Sequence, residues 1–137
     1  MREKFSWVLD TSALFALKEE EEGAGAVEKI LRSGGKSGRV FISFMTLMEF
    51  YYLILRAHKK EHADKSLLML KQLPLRVIES DEELTLSAAQ IKASTPLSVA
   101  DAWIAATALS LGAILVHKDP EYEPLKNKIR QQILPYK

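Results

Sequence analysis

The 137-residue sequence has no cysteine. That removes disulfides, a thiolate nucleophile and any cysteine-ligated zinc or iron–sulfur centre. It also lacks an excess of either charge, because 19 basic and 18 acidic residues leave a formal net charge of +1. Bulk electrostatics therefore do not announce a nucleic-acid binder. No apolar run approaches the length of a membrane span, and the stretch after Met1-Arg2-Glu3-Lys4 is too short for a signal peptide. The expectation is a soluble, cytoplasmic protein with no membrane association. Internal repeats, low-complexity tracts and long linkers are missing too, so residues 1–137 read as one domain. With 47% apolar residues, that domain can bury a real core.

Short apolar runs alternate with segments of helical spacing. WVL before Asp10 reads as a strand, and TSALFALKEEEE as a turn into a helix. AVEKILR continues helically to the SGGKSG turn, and RVFIS is a second strand. The run from Met45 to Leu73 supports one long helix or two consecutive ones before Pro74 breaks the pattern. LRVIE predicts a third strand, DEELTLSAAQIKA a helix, VADAWIAATALSLG a helix ended by Gly112, AILVH a fourth strand and IRQQILP a short fifth. This alternation predicts an α/β fold with a mainly parallel central sheet covered by helices on both faces.

Acidic residues stand out against this apolar pattern. Asp10 falls where the first strand empties into a loop, the edge at which α/β proteins bind ligands. Locally it also suits an N-cap or Asx turn, with Thr11 and Ser12 beside it. Glu49 interrupts the apolar MTLMEFYYLIL, where a carboxylate is costly to bury without a partner unless it lies on an exposed stripe. Asp101 follows Ser98 at capping-box spacing, a role compatible with one free carboxylate oxygen. Asp119 leaves the fourth strand ahead of Pro120, where an Asp-Pro turn is the plain reading, and Glu121 and Glu123 stand nearby as substitutes. Gathered at one rim, these carboxylates would repel one another unless hard divalent cations, Mg²⁺ or Mn²⁺, joined them. Such ions can activate water, neutralise a phosphodiester and stabilise a departing oxyanion.

Taken together, DTSAL, the glutamate of TLMEFYYLILR, SVADAWIAATAL and HKDPEY give the chain a pattern that resembles the PIN-domain family, most closely its VapC-like toxin ribonucleases. The resemblance spans nearly the whole chain and rests on the ordered set rather than on any single motif. It implies a three-layer PIN-like domain, Mg²⁺- or Mn²⁺-dependent endoribonuclease activity on RNA, homodimerisation and inhibition by a small VapB-like antitoxin. Asp10, Glu49, Asp101 and Asp119 match the family's acidic, metal-holding positions, and Ser12 matches a hydroxyl that supports the first acid. In that reading Ser12, with Thr11, positions Asp10 or a bound water. The family often has a small hydroxyl residue and an arginine before the fourth acid, where this chain has His117-Lys118.

Other features have plainer readings. Arg56, Lys59, Lys60 and Lys65 form a basic cluster suited to guiding an RNA backbone or simply to solvation. His58 and His62 would share a helix face, but two imidazoles without a third ligand read as solvated rather than zinc-binding. Trp7 and Trp103 lie in apolar runs and are expected in the core or an interface. Tyr122 is near enough to Asp119 to reach the rim. A haloacid-dehalogenase-type phosphatase is disfavoured because Ser12 stands where a second aspartate is needed, and SGGKSG lacks a complete phosphate-loop pattern. The alternative from another class is a noncatalytic RNA- or protein-binding domain of the same fold.

Overall fold

Strand β1, Trp7–Leu9, lies at the centre of the sheet. It pairs in parallel with β2 (Val40–Ser43) on one side and β4 (Ile114–His117) on the other. β3 (Arg76–Ile78) extends the sheet beyond β2, and β5 (Gln131–Ile133) extends it beyond β4. The order is therefore β3-β2-β1-β4-β5, parallel throughout. This computed structural model describes residues 5–135, so the leading Met1–Lys4 stretch falls outside the described residues.

Parallel neighbours need crossovers, and the helices supply them. α1 (Thr11–Lys18) and α2 (Ala24–Gly34) connect β1 to β2, and α3 (Phe44–Ala57) and α4 (Lys60–Lys71) connect β2 to β3. α5 (Glu82–Ser94) and α6 (Val99–Leu111) then carry the chain back across the sheet to β4. The strand alternation sorts side chains between two cores. Leu9, Val40, Ile42 and Val116 pack with α1 to α4, whereas Val8 and Leu115 pack with α5 and α6. The result is the three-layer arrangement expected from the sequence. Trp7 and Trp103 are partly buried, one against each core. Ala102, Ala105, Ala106 and Ala108 are all buried on α6, so this helix can sit close to its neighbours.

One helix boundary differs from the expectation, and another settles an alternative that the sequence left open. The acidic run does not prolong α1, which ends at Lys18; Glu20 adopts φ 52° and Gly23 φ 100°. A row of glutamates at a helix C-terminus meets the negative end of the macrodipole, and leaving the helix relieves that contact. The stretch between Met45 and Leu73 forms two helices, separated at His58, whose φ of −141° and ψ of −177° are extended. His58 and His62 therefore do not share one continuous helix, although their rings lie 4.3 Å apart.

The turn before β2 is held by close backbone approach. A Cβ on Gly35 would stand 2.6 Å from the Pro74 carbonyl oxygen and 2.7 Å from the proline ring. Neither group can rotate away. Gly35→Ala is expected to destabilise the fold by about 1–3 kcal/mol, read as a lower urea midpoint at unchanged m-value; an unchanged midpoint would show that this contact is not tight.

Candidate functional site

All strands point the same way, so their carboxyl ends form one edge of the sheet. Chain order runs outward from β1 to β3 and then returns to the other side of β1 with β4. The crevice between β1 and β4 is thus the topological switch point, where open parallel sheets bind ligands. Asp10 leaves β1 and Asp119 follows β4 at this crevice.

Asp10 is 3% exposed. Its backbone N–H donates to the Val116 carbonyl at 3.1 Å, which extends the β1–β4 pairing by one residue. Its side chain caps α1: Oδ1 accepts from the Ala13 N–H at 3.1 Å and from the Ser12 hydroxyl. Ser12 Oγ in turn accepts the Lys118 N–H at 2.9 Å. One hydroxyl therefore ties the first acid to the loop that carries the fourth. The capping reading of Asp10 and its placement in the crevice are both correct.

Two of the remaining acids approach from helices, and Asp119 from the loop after β4. Glu49 on α3 accepts a 2.7 Å hydrogen bond from Thr11 Oγ1 at Oε1, so Thr11 orients Glu49 rather than Asp10. Asp101 lies in the first turn of α6; its N–H donates to Ser98 Oγ at 3.1 Å, and its Oδ1 accepts from the Tyr122 hydroxyl at 3.1 Å. Asp119 Oδ1 accepts the Glu121 N–H at 2.9 Å, opening the 3₁₀ turn Pro120–Leu125. Carboxylate oxygens of Asp101, Asp119 and Glu121 lie within 4.8 Å of one another. Asp10 feels the charges of Asp101 and Asp119, and Asp101 feels those of Asp119 and Glu49, so the four acids share one electrostatic environment.

Burial pushes the Asp10 carboxyl up to about 7, against the lowering effect of the Ser12 and Ala13 bonds; Asp101 and Asp119 push it further up. Burial also lifts Asp101 to about 6, with Asp119 and Glu49 adding to the rise. Among the described residues no lysine or arginine pairs with any of these acids. Lys118 turns away to Glu21, at 3.0 Å.

Residue pattern alone did not reveal the scaffold behind Asp119. His117 is 1% exposed, and its Nδ1 accepts the Asp119 N–H at 2.9 Å. That leaves the proton on Nε2, which donates to Gln131 Oε1 at 2.7 Å. Burial lowers the pKa of the imidazole, which keeps it neutral. Gln131 Nε2 donates to the Tyr122 carbonyl at 3.0 Å, and the His117 and Tyr122 rings lie 4.6 Å apart. The His117-Lys118 departure is therefore coherent: His117 holds the Asp119 backbone, and the Lys118 amide holds Ser12. By contrast the basic cluster around α4 is partly committed elsewhere, with Lys60 paired to Asp64 at 2.7 Å and Arg56 over the Tyr52 ring at 5.1 Å.

The PIN domain family model matches residues 7–127. The chain belongs to the PIN-domain family. Similar solved structures include DNA-bound VapBC from Salmonella typhimurium, at 26% identity and TM-score 0.75, with 95% of this chain and 98% of that one covered. A second is VapBC from Rickettsia felis bound to a fragment of its promoter DNA, at 18% identity and TM-score 0.75 over 96% of this chain and 100% of the other. A third is a sarcin-ricin-loop-cleaving VapC toxin from Mycobacterium tuberculosis, at 20% identity and TM-score 0.69 over 87% and 94%. No curated protein matches by sequence. Within this PIN domain no helix among the described residues is long and apolar enough to cross a membrane.

The raised acids fix the sign of a pH dependence. A carboxyl whose folded pKa lies above its unfolded value binds more protons when folded, so its contribution to stability is present at low pH and is lost as pH rises through the folded value. For Asp10 and Asp101 that loss runs from about pH 4 to about pH 7. Metal-free protein should therefore melt at a lower temperature at pH 8 than at pH 5.5, and Asp10→Asn should flatten the difference. A melting temperature that rises over this interval in the parent and is unaffected by Asp10→Asn would contradict the charge arrangement.

Proposed function

We propose that the chain is a Mg²⁺- or Mn²⁺-dependent endoribonuclease, the toxin of a toxin–antitoxin pair. The observation that carries this reading is a set of acids at the switch-point edge of a PIN domain, none of which pairs with a lysine or arginine among the described residues. The donors are all carboxylate oxygens, and the most buried of them, Asp10, is held from its ordinary ionised state by burial. That donor set fits a hard divalent ion. Asp10, Asp101 and Asp119 would hold it directly or through water, with Glu49 and Glu121 beside them. Bound there, the ion would supply activated water and neutralise phosphodiester charge.

The protein's own groups set the acids in place. Ser12 and the Lys118 amide keep the ends of β1 and β4 in register. Tyr122 and Thr11 each donate to one oxygen of Asp101 or Glu49, leaving the second for a ligand or water. Loss of such a supporting bond costs roughly 10–100-fold in metal affinity or activity in comparable sites. The antitoxin reading draws on the similar structures, which include toxin–antitoxin complexes. It also draws on an apolar groove of about 540 Å³ lined by Leu14, Leu17, Phe50, Met69, Leu70 and Leu73. A small VapB-like protein would occupy that groove, and the toxin itself would act as a homodimer.

Cleavage of a mixed RNA pool should appear with Mg²⁺ or Mn²⁺, disappear in EDTA and fall to background in Asp10→Asn. Absence of cleavage with either ion, together with unchanged ion binding in Asp10→Asn, would favour a noncatalytic binding domain instead. Between the helix and loop acids, Asp119→Asn should lose less activity than Asp101→Asn because Glu121 offers a neighbouring carboxylate. Equal or greater loss at Asp119, in folded variants, would reverse that order. Expression from the native operon should yield a copurifying small protein; an exclusively free monomer would count against the antitoxin.

A further inference from the structure

The near-neutral net charge conceals a separation of charge along the strand axis. Acids crowd the carboxyl edge of the sheet, whereas the segments feeding the amino ends of β2 to β5 contain none: residues 35–39, 72–75, 112–113 and 126–130. Lys36, Arg39, Arg76 and Arg130 stand at this amino edge, and among the described residues none of them is in an ion pair. Arg39 does make hydrogen bonds, to Ser37 Oγ and the Phe5 carbonyl, but both of these partners are neutral.

Sheet order sets these groups in a row with two aromatic rings. Arg76 begins β3, and its Nη1 lies 4.0 Å from the point a Cβ on Gly38 would occupy, next to Arg39. The Arg39 guanidinium sits over the Trp7 ring at 5.5 Å, and Phe5 flanks Trp7 at 6.5 Å between centroids. Arg130 then sits over the Phe5 ring at 5.4 Å. Phe5 is 39% exposed, and Arg76 and Arg130 are exposed.

We propose that this amino edge binds single-stranded RNA, at the edge of the sheet opposite the acids. Cations interleaved with aromatic rings suit that ligand: guanidinium groups take the phosphates, and the exposed Phe5 ring offers a stacking partner for a base. An acidic peptide would use the charges but not the aromatic row, and a lipid surface would call for more exposed apolar area than Phe5 provides. The proposal goes beyond the nuclease reading and stands apart from it, because binding here needs neither the acids nor a cation.

Fluorescence polarisation of a labelled oligouridylate on the full chain in EDTA tests it with cleavage switched off. Arg76→Gln combined with Arg130→Gln removes two phosphate contacts and should weaken binding about tenfold or more near 0.1 M salt, with the log–log salt slope reduced by about 1.4. Phe5→Leu should weaken binding several-fold at an unchanged slope, as loss of stacking requires. The charge-matched pair Lys29→Gln with Lys92→Gln, on exposed helix faces, should bind like the parent. Melting temperatures identify any variant that has lost its fold, and Arg130→Lys, which keeps the charge, should retain most of the affinity. Equal affinity in the parent and the double-arginine variant would overturn the proposal. So would a double-arginine effect confined to anionic vesicles or to self-association on size exclusion. Loss of cleavage in Asp10→Asn with RNA binding in EDTA intact is the expected separation of the two sites.

Discussion

The Ser12 hydroxyl is the point on which the crevice depends. It donates to the buried Asp10 carboxylate and accepts the Lys118 amide, joining the end of the central strand to the loop beyond β4. Without that bridge a buried carboxylate and a neighbouring acidic loop would be free to move apart, as their charges favour. Burial already holds Asp10 near the point of losing its charge. The fold therefore stores electrostatic repulsion at this edge and opposes it with hydrogen bonds from neutral donors: Ser12, Thr11, Tyr122 and main-chain amides.

This arrangement follows from the parallel sheet. Every strand delivers its last residue to the same edge, so a residue following β1 and one following β4 meet although more than a hundred positions separate them in sequence. α3 and α6 then start at that edge, after Ser43 and Ser98 caps, and bring Glu49 and Asp101 inward. Asp10 and Asp119 each cap the helix or 3₁₀ turn that follows them, so at these two positions the capping side chain is also one of the acids at the edge where the sheet opens.

Much of the fold was legible because each strand is a short apolar run and each helix has apolar spacing between turn residues. The acids were legible as polar exceptions at strand ends and within apolar helices. Ser12 beside Asp10 and Tyr122 at the rim were legible with them, but the groups that arise from pairings across the sheet were not: the Lys118 amide, the Gln131 side chain from β5 and the buried His117 ring. Thr11 illustrates the limit well. Its neighbour Asp10 is its obvious partner in sequence, yet the first turn of α1 directs its hydroxyl to Glu49. The glutamates after Lys18 likewise continue a helical composition, but the macrodipole opposes them and the chain leaves the helix at Glu19, with Glu20 left-handed. The basic edge was hidden for a different reason: its cations are single residues scattered before separate strands, and a net charge of +1 averages them against the acids.

Crystals grown or soaked with Mn²⁺ and measured at the manganese absorption edge test the central claim most directly. An anomalous peak in the crevice, with Asp10, Asp101 and Asp119 within direct or water-bridged reach, is the expected result. A crevice free of anomalous density while manganese occupies another site, such as the His58–His62 pair, would contradict the account.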